Sequence, residues 1–230
     1  MAKESFEKSY IRKGESRQQQ AVIFDLDGTL MDTLKDLTEA VNAALATKEL
    51  LPCTMEQVRQ YVGNGIRNLM QQAVPGGEDY PGFEEIFAFF KEYYNAHCLD
   101  NTEPYPNILN LLAELRERQM PVAVVSNKVD SAVKELCDHF FSDYVTVAIG
   151  EMEGIRRKPA PDMVEKALEE LGVPKENTVY VGDSEVDLET AERAGLRCIS
   201  VTWGFKSRAF LAEKGAKTLV VRPLELLYLL

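Results

Sequence analysis

The chain has 230 residues, 45% of them hydrophobic, which is enough apolar material for one large core or two smaller ones. Its formal net charge of −11 opposes binding to polyanions, so nucleic acid and anionic membrane surfaces are not expected partners, whereas a small phosphorylated metabolite held by local cations is compatible with it. Cys53, Cys98, Cys137 and Cys198 are scattered without a CxxC pair, which suggests neither a disulfide framework nor a zinc site but buried thiols in a reducing compartment.

Residues 1–20, "MAKESFEKSYIRKGESRQQQ", form a polar tail with no continuous apolar stretch and no small-residue cleavage site, so they do not read as a signal peptide. Within the tail, Phe6, Tyr10 and Ile11 give a short helix something to dock with. No later run is long and apolar enough to span a bilayer, and the expectation is a soluble, cytoplasmic protein. The first strand is "AVIFDL", and it ends on Asp25 and Asp27. Five more apolar runs follow: "PVAVVSN", "VTVAIG", "TVYVGD", "RCISVTW" and "TLVV". Being apolar at both alternating positions, most of them suit strands buried on two faces of a parallel sheet.

Between the first two strands the spacing is too long. Ser126 lies 101 residues after Asp25, where a crossover between parallel strands takes about 30 residues. The interval reads as an inserted helical lobe. Leu34, Leu37, Val41, Ala44 and Leu45 make one apolar stripe, and Phe83, Ile86, Phe87, Phe90 and Tyr94 make another. The lobe, residues 33–104, carries 11 acidic against 5 basic residues, and linkers near Met31 to Thr33 and Glu103 to Pro106 join it to the sheet. His97 and His139 fall in helical patterns away from other reactive side chains. Further on, Met163, Val164, Ala167, Leu168 and Leu171 share one face of a helix over residues 160–171, stopped by Gly172 and Pro174. Alternating strands and helices predict an α/β fold: a Rossmann-like parallel sheet core over residues 21–32 and 105–230, with the helical lobe inserted.

Open α/β sheets bind ligands at the carboxyl ends of their strands. Those ends hold Asp25 and Asp27, then Ser126 and Asn127, then Lys158, then Asp183 and Asp187. Each has an ordinary structural role available to it, as an N-cap, a turn residue or a solvated lysine. Together they make a set of acids, a hydroxyl, an amide and a cation on one sheet edge. Oxygen ligands with no histidine or thiolate suit Mg²⁺. Asp25 then serves as a nucleophile toward a phosphoryl group, and Asp27 as the proton donor and acceptor. Lys158 neutralises the phosphoryl oxygens, while Ser126 and donors near Asn127 hold them.

The segments "DLDGTLMDT", "VVSNK", "KPAPD" and "VGDSEVDLETAERAG" resemble, in order, the four motifs of the haloacid dehalogenase superfamily of phosphohydrolases. The resemblance implies Mg²⁺ held by the Asp25 carboxylate, the Asp27 main-chain carbonyl and Asp183, with Asp187 supporting the site. It also implies that the inserted lobe is a cap closing over the site. "VGNGIRNLMQQAV" and "VTWGFKSRAFL" look like the phosphoglycolate phosphatase branch of that superfamily. Dehalogenases of the superfamily lack an acid matching Asp27 and its ion-pumping ATPases carry lysine there, so both fit less well. A phosphosugar mutase, a phospho-acceptor signalling module and a noncatalytic regulatory relative are the alternatives. In the lobe, the two glycines around Asn64 suggest either a tight loop close to a ligand, with Arg67 just beyond it suiting a carboxylate on the leaving group, or a plain helix-joining turn with a solvated arginine.

Overall fold

The computed structural model describes residues 21–230, so the expectation for the tail, residues 1–20, lies outside the described residues. The chain runs β1 (Ala21–Phe24), β2 (Met31–Asp32), α1 (Leu34–Ala46), α2 (Met55–Tyr61), α3 (Gly65–Ala73), α4 (Phe83–His97) and β3 (Glu103–Pro104). It continues through α5 (Ile108–Glu117), β4 (Val122–Val129), α6 (Asp130–Phe141), β5 (Val147–Glu151), α7 (Asp162–Leu171) and β6 (Thr178–Gly182). The last elements are α8 (Glu185–Ala194), β7 (Arg197–Val201), α9 (Arg208–Glu213) and β8 (Leu219–Val220).

Six strands form one parallel sheet in the order β5-β4-β1-β6-β7-β8. These are the six apolar runs of the sequence, and their doubly apolar pattern has a direct cause. Val22 and Phe24 point into a cluster with α5 and α6, including Leu111, Leu115 and Leu136. Ile23 points the other way, into a cluster with Met163, Val164 and Ala191 of α7 and α8. Helices therefore cover both faces, as a Rossmann-like core requires. β1 pairs with β4 on one side and β6 on the other, which puts the point where the strand order reverses at the end of β1. The helix predicted from residue 160 starts at Asp162, because Pro161 disfavours the helical conformation at Ala160 before it. Gly172, at φ 66°, ends it.

The helices α1 to α4 build a separate apolar cluster in which the two predicted stripes meet. Phe205, from the loop after β7, joins that cluster. Both chain crossings between core and insert lie side by side, since β2 and β3 pair antiparallel with Met31 opposite Pro104 and Asp32 opposite Glu103. Just past this neck, buried Asp36 accepts hydrogen bonds from the Asn101 N–H at 3.0 Å, the Asn101 amide at 2.8 Å and the Thr102 hydroxyl at 2.8 Å. The four cysteines are free thiols, with Cys98 and Cys137 buried but Cys53 and Cys198 only half-buried, a partial correction to the expectation. No helix among the described residues is long and apolar enough to cross a membrane.

Candidate active site

Where β1 ends, the chain turns sharply enough to set two carboxylates over the sheet edge. Gly28 makes this possible: it sits at φ +82°, and a Cβ there would lie 2.5 Å from the Asp183 carboxylate. The Asp25 N–H donates to the Val181 carbonyl of β6 at 2.9 Å, which fixes the backbone beneath the side chain. Asp25 Oδ1 accepts the Leu26 N–H at 2.7 Å and pairs with Lys158 Nζ at 2.7 Å. Among the described residues, neither contact engages Oδ2.

Lys158 is buried and fully committed. Its ammonium contacts Asp25 Oδ1 at 2.7 Å, Asp187 Oδ1 at 2.8 Å and the Tyr180 hydroxyl at 3.1 Å, three acceptors for three donors. Asp187 opens α8 as part of a capping box: its Oδ2 accepts from the Ser184 N–H at 3.0 Å and the Ser184 hydroxyl at 2.6 Å. Its Oδ1 also accepts from the Tyr180 hydroxyl at 3.0 Å. Asp183 accepts from the Phe205 N–H at 2.6 Å and, more weakly, from the Thr29 hydroxyl at 3.4 Å.

One carboxylate oxygen from each of Asp25, Asp183 and Asp187 lies within 4.8 Å of the others, and all three residues are buried. With one lysine among three acids, the protein alone is short of positive charge. Burial first, and then the Asp187 carboxylate, push the Asp25 carboxyl well above its ordinary range. The same two causes push Asp183 up to about 7. Burial works against the Lys158 ammonium, but Asp187 and Asp25 outweigh it and hold its pKa above the ordinary value. Beside burial, the Asp187 charge contributes to all three shifts, and a divalent cation offsets such buried negative charge. The oxygen-only donor set fits Mg²⁺. Each Asp187 oxygen already accepts two hydrogen bonds, so Asp25 and Asp183 have the freer oxygens and Asp187 stands behind them.

Ser126 and Asn127 occupy β4 beside β1. Ser126 Oγ accepts the Lys128 N–H at 3.2 Å. The Asn127 amide donates to the Lys158 carbonyl at 3.0 Å and to the Gly63 carbonyl of the insert at 3.3 Å, while its Oδ1 is buried with no partner among the described residues. These side chains share a cavity of about 50 Å³ with Asp25, Asp27, Lys158 and Asp183. Its opposite wall is the insert: Leu37, Val62, Ile66 and Leu69.

The sequence reading did not single out Lys128. It is buried, its Nζ lies 3.2 Å from Asp27 Oδ1, and it donates to the Tyr94 hydroxyl of α4 at 2.6 Å. Burial opposes its charge, but Asp27 and Tyr94 outweigh that and raise its pKa. A signal was present, because a lysine continuing a strand buried on both faces needs an acidic or hydroxyl partner. The cap pair lies elsewhere. Asn64 and Arg67 are outside the cavity lining, whereas their neighbours Gly63, Gly65 and Ile66 are in it. The Arg67 guanidinium binds Glu78 at 2.6 Å and also Glu84, and it lies over the Phe83 and Phe87 rings at 5.3 and 5.2 Å. Helical geometry turns position 67 to the outer face of α3, where two carboxylates claim it.

A parallel sheet with buried acids and a lysine at its switch point, opposite a helical insert, is the architecture of one large hydrolase group. The chain belongs to the haloacid dehalogenase-like hydrolase family, whose pattern matches residues 22–201. Phosphoglycolate phosphatase 1 of Pseudomonas aeruginosa is 34% identical to it over 213 residues, 90% of this chain and 77% of that protein. The phosphoglycolate phosphatase of Neisseria meningitidis is 34% identical over 202 residues, 86% of each chain. A solved structure from Lactobacillus delbrueckii subsp. bulgaricus superposes with a TM-score of 0.85 at 36% identity, covering 91% of this chain and 97% of that one. The chain is accordingly a phosphatase, a phosphoric monoester hydrolase of this family.

Proposed function

We propose that the protein is a Mg²⁺-dependent phosphatase that hydrolyses a small, phosphoglycolate-like monoester through an aspartyl phosphate on Asp25. The observation that carries this reading is the cluster at the end of β1, where Asp25 meets Lys158 at 2.7 Å and shares buried negative charge with Asp183 and Asp187. Asp25, Asp183 and the Asp27 main-chain carbonyl hold the ion. When bound, Mg²⁺ supplies positive charge that offsets the carboxylates and the phosphoryl oxygens.

The chain's own groups divide the remaining work. The Asp25 carboxylate attacks phosphorus as the bond to the leaving oxygen breaks, and Asp27 delivers a proton to that oxygen. Water then attacks phosphorus, Asp27 takes its proton, and the P–O bond to Asp25 breaks to release phosphate. Lys158 keeps positive charge beside Asp25 throughout, and Ser126 with Asn127 positions the phosphoryl group. The insert, residues 33–104, acts as a cap over the core of residues 21–32 and 105–230, closing an apolar wall over the cavity and excluding water. The small cavity and the phosphoglycolate phosphatase relatives support a small acidic substrate.

Phosphate release from 2-phosphoglycolate, ethyl phosphate and a sugar phosphate, with Mg²⁺ and with excess chelator, tests this. Mg²⁺-dependent turnover with 2-phosphoglycolate preferred is expected. Full activity in chelator removes the metal assignment, and a sugar phosphate isomerised instead of hydrolysed replaces the phosphatase with a mutase.

A further inference from the structure

We propose that Lys128 is the specificity-determining residue of this site, binding a carboxylate carried by the leaving group on the carbon next to the ester oxygen. The inference rests on the phosphatase reading above and names the group that recognises the acidic end of the substrate. The insert wall, Leu37, Val62, Ile66 and Leu69 with Gly63 and Gly65, brings no charged side chain to the cavity. Any charge on the leaving group must therefore be met from the core.

Three lysines line the cavity: Lys128, Lys158 and Lys206. Lys158 has all three donors occupied by Asp25, Asp187 and Tyr180. Lys206 is partly exposed and reaches the Gln60 carbonyl of the insert at 3.0 Å, which ties it to the rim. Lys128 is buried, and its partners are the Asp27 carboxylate, at 3.2 and 3.5 Å, and the Tyr94 hydroxyl at 2.6 Å. Both Asp27 contacts come from one carboxylate and are long, 3.2 and 3.5 Å against 2.7 and 2.8 Å at Lys158, so this ammonium is held more loosely and can turn a donor from Asp27 to an incoming carboxylate. The placement sets the chemistry. Asp27 is the acid that meets the leaving oxygen, and Lys128 Nζ lies beside it, so a carboxylate one carbon beyond that oxygen falls within reach of the ammonium. A charge pair formed away from water is stronger than one at the rim. Tyr94 holds the ammonium from the insert side, so the cation stands at the boundary between the two lobes.

The test compares 2-phosphoglycolate with ethyl phosphate, which keeps the two-carbon ester and lacks the carboxylate, in wild type, Lys128→Met and Lys206→Met. Wild type should prefer 2-phosphoglycolate in kcat/KM. Lys128→Met should lower that preference on the order of 10- to 100-fold, as expected for loss of a charged hydrogen bond, mainly through KM for the acidic ester. Lys206→Met should retain it. A Lys128→Met enzyme that keeps the wild-type preference, or a preference lost only in Lys206→Met, overturns the role of Lys128 while leaving the substrate reading intact. Wild type without any preference overturns both. Where circular dichroism shows Lys128→Met unfolded, Tyr94→Phe is read instead: it should raise KM several-fold for the acidic ester alone, and equal change for both esters overturns the proposal.

Discussion

Asp25 and Asp27 sit two residues apart and face different neighbours, so their amides should fail differently. Asp25 touches Lys158, whereas Asp27 touches Lys128. Asp25→Asn should abolish turnover and any covalent phosphoprotein, because the attacking oxygen is gone. Asp27→Asn should slow both formation and breakdown by about 10²- to 10⁴-fold, the usual contribution of a positioned acid–base group. Acid-quenched reactions with radiolabelled substrate separate the two, and a labelled Asp25→Asn protein reverses the roles. Asp25 and Asp183 are legible in the sequence because each directly follows an apolar strand run, and Lys158 because it stands just before the helix of "KPAPD". Lys128 is legible only as a buried cation in need of a partner, and the partner itself is not, because the Tyr94 hydroxyl lies 34 residues upstream. Tyr94 belongs to an aromatic stripe that reads as plain core, and only the folded chain brings its hydroxyl within 2.6 Å of the ammonium.

At the scale of elements, the insert is held by polar contacts that periodicity does not reveal. Asp36 lies on α1 among apolar neighbours, and its pattern gives no hint that it receives three hydrogen bonds from Asn101 and Thr102. Asp36→Ala should lower stability by roughly 2–4 kcal/mol, since the buried Thr102 hydroxyl and the half-buried Asn101 donors lose a charged acceptor, and a fall in the urea midpoint checks this. Arg67 presents the opposite case. The sequence leaves it open between a substrate contact and a solvated arginine, and Glu78 and Glu84, 11 and 17 residues on, hold it on the surface. Arg67→Ala should therefore leave KM for an acidic ester within about twofold of wild type, because a paired and solvated charge acts weakly at a distance. A large rise in that KM would restore the residue to the site. The stripes of α1 and α4 were read correctly because hydrophobic spacing records which face is buried. It does not record which polar side chains find each other across loops.

For the whole molecule, the buried acids make stability depend on pH, and the proposed metal should act through the same groups. Burial and Asp187 raise the folded-state pKa of Asp183 to about 7, above an unfolded value near that of an ordinary aspartate. A raised carboxyl contributes stability at low pH, below its unfolded pKa, and that contribution is lost as pH rises through about 7. The metal-free protein should thus lose stability between about pH 4 and 7 from this group. On the proposed Mg²⁺ reading the ion takes the place of the proton, so its stabilising effect should grow across the same window. Thermal melts with and without Mg²⁺ at pH 5.5 and 7.5 should show the larger rise in Tm at the higher pH. At 100 times its Kd the ion should add about 2.7 kcal/mol. An equal shift at both pH values would detach Asp183 from the metal.

The pairing of β2 with β3 has a consequence for how such a protein changes over time. Neighbouring strands lie about 4.8 Å apart, so the core meets the insert as though it were the loop of a hairpin. Lengthening a loop costs little in closure entropy, and the strand order of the sheet does not depend on what the loop contains. The core is thus a socket: one lobe can be exchanged for another at a fixed pair of joints, and the bond-breaking apparatus is inherited untouched. The exchange has a condition at one place. Tyr94 and Lys128 belong to opposite sides of the joint, so a transplanted lobe that brings no hydroxyl to that position leaves the lysine without its second partner.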